Sequence, residues 1–165
     1  TTPGQQPLKV YYCPITPMVD QDALPTFTAT LPLFRWIMIR EQIDIVHAHQ
    51  ATSTMANESI VYADVMGLKS VYTDHSLFGF DDVAGVILSR VLQTTLCTAN
   101  ATIAVSHACR DNLVLRAHLK AERQRISIIP NAIDPSKFTP NPSKRPEKRI
   151  QVAVVSRLVY RKGVD

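Results

Sequence analysis

The sequence has no run of about 18 uninterrupted apolar residues, the length a membrane-crossing helix requires, so nothing in these 165 residues is expected to span a bilayer. Cysteines are few and unpaired in pattern. Cys13, Cys97 and Cys109 are odd in number and widely scattered, which excludes a disulfide framework and a Cys-x-x-Cys zinc site and favours a reducing compartment. There is no signal-peptide pattern. Charge is modest at 19% and hydrophobic residues reach 45%, the composition of a globular chain rather than a disordered one. The length suits one ordinary domain and is too short for two complete ones. The sequence starts at Thr1 rather than Met and stops at Asp165 just after a strand-like run and a basic turn, so an excerpt from a longer protein is expected.

Charge of one sign is scarce in the first part. Residues 1–105 carry a balance of −4 and residues 106–165 a balance of +8, which together give the net +4. A basic second half suits an anionic ligand, an acidic membrane surface or nucleic acid, or is simply a solvated basic face. Nucleic acid is the weakest of these, because exposed aromatics are not interleaved with the cations and no recognition-motif spacing occurs.

Thr1 to Pro7 reads as a loose polar end, and Leu8 to Tyr12 as a short β-prone run stopped by Pro14 and Pro17. Leu24, Phe27, Leu31, Phe34 and Met38 recur at steps of three and four, an amphipathic helical stripe. Pro32 either kinks that helix or sits in the first turn of one that begins near Leu31. Short apolar runs then alternate with helical stretches of ten to sixteen residues. Strands are predicted at 43–46, 69–73, 102–105 and 126–129, and helices at about 52–66, 81–97 and 106–118. Gly67 is placed to end the first of these helices, Asp81 and Asp82 to cap the second, and Ser106 the third. Parallel strands need such crossovers, so a doubly wound, Rossmann-like parallel α/β sheet is the expected fold. Residues 139–149 carry three prolines among polar residues and read as a linker between a first domain over 1–138 and a second opening with the strand and turn of 150–165.

Ligands of an open parallel sheet bind beyond the carboxyl ends of its strands. That rule gathers His47 and His49, then Asp74, His75 and Ser76, then Ser106 and His107, then Pro130 and Asn131 along one edge. His47 and His49 share a face only if their strand persists through both. Without a cysteine or third carboxylate at usable spacing, zinc is disfavoured, and His47 alone reads as a histidine packed at a strand end. His75 precedes a loop with Gly79 between Phe78 and Phe80. It is either an exposed loop histidine or a group that donates to a substrate hydroxyl or phosphate, or accepts a proton. The strongest local signal is Ser156-Arg157-Leu158-Val159-Tyr160-Arg161-Lys162-Gly163, three cations within six residues after a buried-type strand. Backbone N–H groups and fixed cations in such a turn suit a diphosphate.

Five blocks occur in order: Asp44 to His49, Thr73 to Phe80, Ala104 to Ser106, Ile128 to Asp134 and Ser156 to Gly163. Together they resemble the retaining glycosyltransferases of the GT-B fold, family 4. The wording of the second and fifth blocks resembles, within that group, the catalytic subunits that transfer N-acetylglucosamine to phosphatidylinositol, the first step of glycosylphosphatidylinositol (GPI) anchor synthesis.

The resemblance implies two Rossmann-like domains about a cleft, the first binding mainly the acceptor and the second mainly UDP-N-acetylglucosamine. It implies that Arg157 and Lys162 hold the donor diphosphate and that His75 acts as the catalytic histidine near the reacting sugar. His49, Ser106 and Asn131 are then cleft-lining. It implies no metal or other cofactor, partner subunits in a complex at the cytoplasmic face of the endoplasmic reticulum membrane, and no nucleic acid. Segments of that family before Thr1 and after Asp165 are missing here, so these residues alone are expected to be inactive. The alternatives are a family 4 enzyme with another donor or acceptor, and a non-catalytic scaffold of a membrane complex.

Overall fold

The computed structural model describes residues 8–16, 26, 28–77, 83–119, 126–145, 149–150 and 152–155. The loop 78–80, the acids Asp81 and Asp82, and the whole block 156–163, with Arg157 and Lys162, lie outside the described residues. The chain divides into two compact units, 1–131 and 132–165.

Among the described residues, the first unit holds every α-helix and every β-strand. Helix α1 spans Leu31–Arg40 with Pro32 in its first turn, where no intrahelical N–H is needed. This settles the choice left open by Pro32: the helix begins there rather than kinking. Strand β1 follows at Ile45–His49, then α2 at Thr54–Val65, β2 at Lys69–Asp74, α3 at Val83–Thr98, β3 at Ala101–Ala104, α4 at His107–Arg116 and β4 at Ile126–Ile128. All neighbouring strands pair in parallel in the order β1-β2-β3-β4. The parallel α/β sheet is as the alternation of runs required.

Local chemistry sets the ends of the helices. The Ser53 hydroxyl accepts from the Ala56 N–H at the start of α2. Gly67 follows α2 with φ +72°, a conformation that costs other residues about 1 kcal/mol or more, and its N–H donates to the Asp64 carbonyl. Ser106 caps α4 by accepting from the Cys109 N–H at 3.1 Å.

Strands added in one direction with crossovers of a single hand put their connecting helices on one face. Accordingly α2 packs on β1 and β2, α4 packs on β3 and β4, and α3 lies between α2 and α4. Among the described residues the sheet is thus wound in one direction only, and the expected double winding is not present. The core forms under these helices from Ile60, Tyr72, Leu92, Leu96 and Leu113, all fully buried, with Ala48, Ala51 and Ala117 allowing close approach. Inside it, the buried Asn57 amide donates to the Ala51 and Ser53 carbonyls and its oxygen accepts from Thr95, which ties α2 to α3. No helix among the described residues is long and apolar enough to cross a membrane.

Helix α1 packs against α2 through the Phe34 and Tyr62 rings, 5.6 Å apart, and through the buried Met38. The half-buried Glu58 carboxylate fastens the junction. It accepts from the Thr26 N–H at 2.7 Å, from the Thr26 and Thr30 hydroxyls at 2.6 Å each, and from the Tyr62 hydroxyl at 3.0 Å. Burial alone would raise its pKa, but these donors outweigh burial and leave it below the usual carboxylate range. Glu58→Ala strands four donors and is expected to lower stability by about 1–3 kcal/mol, read as a reduced urea midpoint at unchanged slope.

In the second unit, Asp134 opens a single 3₁₀ turn at Pro135–Lys137 by accepting from the Ser136 N–H, and a second such turn spans Pro142–Lys144. Residues 149–150 and 152–155 are exposed and unpaired, while 151 and 156–165 of the strand and turn expected from 150 onward lie outside the described residues.

Candidate functional site

Because all four strands run the same way, their carboxyl ends share one edge, as the rule for parallel sheets required. Strand β1 does not stop at Val46. It continues through His49, with Ala48 buried toward the helices and His47 and His49 exposed on the opposite face. The continuation brings two imidazoles onto one face, with ring centroids 4.3 Å apart. The His47 Nε2 sits 2.7 Å from the Thr73 hydroxyl of β2. Gln50 then turns the chain with φ +80°, a left-handed conformation uncommon for a non-glycine residue, and its N–H donates to the Thr73 carbonyl.

The register pairs His49 with Thr73, two residues before His75. As a result the His49 Nδ1 lies 3.0 Å from the His75 Nε2, and the two rings stack at 5.3 Å. One ring must donate and the other accept, so the contact holds only while at least one of them is neutral at the facing nitrogen. Partial burial, then the neighbouring His47 and His75, push the His49 pKa below its ordinary value. His75 is exposed, and among the described residues its other ring nitrogen makes no hydrogen bond. It is an exposed histidine with a partner.

The sequence places Asp74 and Ser76 at this edge but does not reveal their burial against Cys109. Asp74, between the core and His75, is fully buried, and burial pushes its carboxyl pKa up. Its Oδ1 accepts from the Ser76 N–H at 3.3 Å. From α4 the Cys109 thiol approaches the Asp74 carbonyl at 3.3 Å, Asp74 Oδ2 at 3.5 Å and the Ser76 carbonyl at 3.7 Å. Burial, then the Asp74 charge, push that thiol up to about 11, so it is an inert donor rather than a nucleophile. Residues on both sides of His75 are therefore pinned from below, and its ring is presented by a fixed backbone. An aspartate closing the otherwise uncharged run Ser70 to Thr73 is the signal that pointed here.

Of the other predicted residues, Ser106 ends the β3 connection and its hydroxyl is engaged as the α4 cap. Asn131 follows β4 and is exposed. Among the described residues neither shares a hydrogen bond with the histidines, and no group of three His, Cys, Asp or Glu is arranged to hold a metal ion.

The depressed His49 pKa has a measurable consequence. Unfolded histidine titrates near ~6.5, so on acidification the unfolded chain takes up this proton before the folded chain does. The stability contributed by His49 is complete above about pH 6.5 and is lost as pH falls from there toward the lower folded value. His49→Gln is expected to flatten the pH dependence of the urea midpoint between about pH 7 and 5.

Residues 5–82, which include both histidines of the pair, match the family model described as PIGA (GPI anchor biosynthesis). The chain is 48% identical over 158 residues to a human protein named as a subunit of phosphatidylinositol N-acetylglucosaminyltransferase, 46% to the protein of the same name from Arabidopsis thaliana, and 44% to the gpi3 subunit of that transferase from Schizosaccharomyces pombe. Each comparison covers 96% of this chain but 32%, 35% and 34% of the respective relative, so the chain spans about a third of their length.

Proposed function

We propose, from its similarity to the PIGA family of GPI-anchor biosynthesis, that this chain is a member of that family and part of the acceptor side of a glycosyltransferase in the first step of that synthesis. The donor in this reading is UDP-N-acetylglucosamine and the acceptor is phosphatidylinositol. The anomeric configuration is retained. The fold of the complete enzyme is GT-B, with residues 1–138 in the first domain and 150–165 opening the second. Other subunits complete the enzyme at the cytoplasmic face of the endoplasmic reticulum.

The observation that carries this reading is the His49–His75 pair at the carboxyl edge of a parallel sheet, inside the residues that match the family model. His75, held by His49 and by the pinned Asp74–Ser76 backbone, orients the acceptor hydroxyl or the sugar through its free ring nitrogen. His49, Ser106 and Asn131 line the same edge of the cleft. Arg157 and Lys162 offset the charge that grows on departing UDP, which leaves no step for a resident metal to perform.

The test is transfer by the full-length protein within its complex, with labelled UDP-N-acetylglucosamine and either phosphatidylinositol or a soluble inositol acceptor. Label is expected in phosphatidylinositol alone, in excess EDTA as well as without it, and is expected to be lost in His75→Ala. Transfer to a different acceptor, or undiminished transfer by His75→Ala, would overturn the assignment. The 165-residue chain by itself is expected to turn over no donor.

A further inference from the structure

Helix α1 presents two apolar faces, and among the described residues only one of them is packed against another element. Phe34 and Met38 turn inward against α2. On the outer side Trp36 is 47% and Ile39 53% exposed, where a surface helix of a globular domain carries polar groups. Pro32, Arg35, Trp36, Ile39 and Arg40 repeat at the three- and four-residue spacing of one helical face, and with Leu31 they line an open depression of about 500 Å³.

The charge on this face has one sign. Helix α1 contains Arg35 and Arg40 and no acid. The Arg40 guanidinium lies 4.8 Å from the centre of the Trp36 ring, a cation–π geometry that keeps the cation beside the aromatic surface. The adjacent carboxylate of Glu41 is already engaged: Lys9 and Tyr11 donate to it and Arg40 approaches at 3.4 Å. The Tyr11 ring meets Trp36 edge-on at 6.0 Å, which fixes the indole from the other side. Tryptophan and isoleucine side by side, flanked by arginines whose stems can lie along apolar surface while their heads reach outward, is the chemistry of a helix lying in a lipid headgroup layer.

We propose that the outer face of α1 docks on the surface of an anionic phospholipid bilayer, with Trp36 and Ile39 entering the headgroup boundary and Arg35 and Arg40 paired with lipid phosphates. The proposal goes beyond the transferase reading. It stands on α1 and its neighbours alone and is tested without turnover, so either reading can fail without the other.

Trp36 is the only tryptophan in the chain, which makes its emission a direct reporter. The chain is mixed with vesicles of phosphatidylcholine containing phosphatidylinositol, or of phosphatidylcholine alone, and followed by Trp36 emission and by flotation. A blue shift and co-flotation are expected with the anionic vesicles only. Arg35→Gln, a surface change, is expected to weaken binding about five-fold, the effect of one cation near such a surface, and Ile39→Asp to abolish the shift, with unchanged far-ultraviolet circular dichroism in both. An unmoved spectrum without flotation would overturn the proposal, as would equal binding to neutral vesicles or by Arg35→Gln. A blue shift that grows with protein concentration in the absence of lipid would assign this face to a second copy of the chain instead.

Discussion

Leu92→Ala is expected to destabilise the fold by about 3 kcal/mol, within the 2–5 kcal/mol range for truncating a fully buried leucine. Leu92 projects from α3 into the cluster of Ile60, Tyr72, Leu96 and Leu113. Because α2, α3 and α4 form one layer on the sheet, the cavity has few neighbours free to collapse into it. A domain of this size is commonly stable by only about 5–15 kcal/mol, so such a loss is a large share of the total. Val86→Ala, on the same helix but 59% exposed, is expected to change stability by less than about 0.5 kcal/mol. Urea denaturation of both variants makes the comparison; equal small losses would show that α3 does not seal the core. Tyr72 in β2 belongs to this cluster and lies three residues before His75, so loosening the core also loosens the site.

Elements whose signals are local were legible in the sequence. Gly67 beyond α2 and Ser106 before α4 each act through their own or adjacent backbone groups and were identifiable from residue type and spacing, whereas Pro32 left a kink and a helix start both open. The single direction of the strands followed from the helical crossovers between them. The length of β1 did not. Its polar end, His47 to His49, reads as loop, yet it stays in the ladder because one of its faces carries no helix among the described residues and tolerates imidazoles. For the same reason the His49–His75 contact was only half visible. Both residues fall at the expected edge, but their 3.0 Å approach depends on a register joining positions 26 residues apart. Asp74 and Cys109 were less visible still, since whether a carboxyl and a thiol are buried together is decided by how α4 seats on β3.

Arg157→Ala and Lys162→Ala in the full-length protein are each expected to reduce the rate of sugar transfer roughly 10²–10³-fold, about 3 kcal/mol, the scale of losing one preorganised group that stabilises developing charge. In the proposed reaction, negative charge accumulates on the diphosphate as the bond from the sugar to UDP breaks. A unit-charge pair at 4 Å is worth about 4 kcal/mol at an effective dielectric of ~20, so two fixed cations can supply most of what a divalent ion would. The assignment rests on the block Ser156 to Gly163, in which Arg157 and Lys162 stand five residues apart with Arg161 beside the second. Arg161 is given no role, and Arg161→Ala is expected to leave the rate within about two-fold of wild type. Arg157→Lys separates charge from geometry. A lysine keeps the charge but not the planar two-pronged donor, so partial recovery would mean that charge dominates and no recovery that bidentate contact does. Initial rates at saturating donor decide the matter, since a defect in donor binding alone would disappear there whereas loss of transition-state stabilisation would persist. Wild-type rates in both alanine variants would remove these two residues from the reaction and leave the histidine edge as the only part of the site assigned.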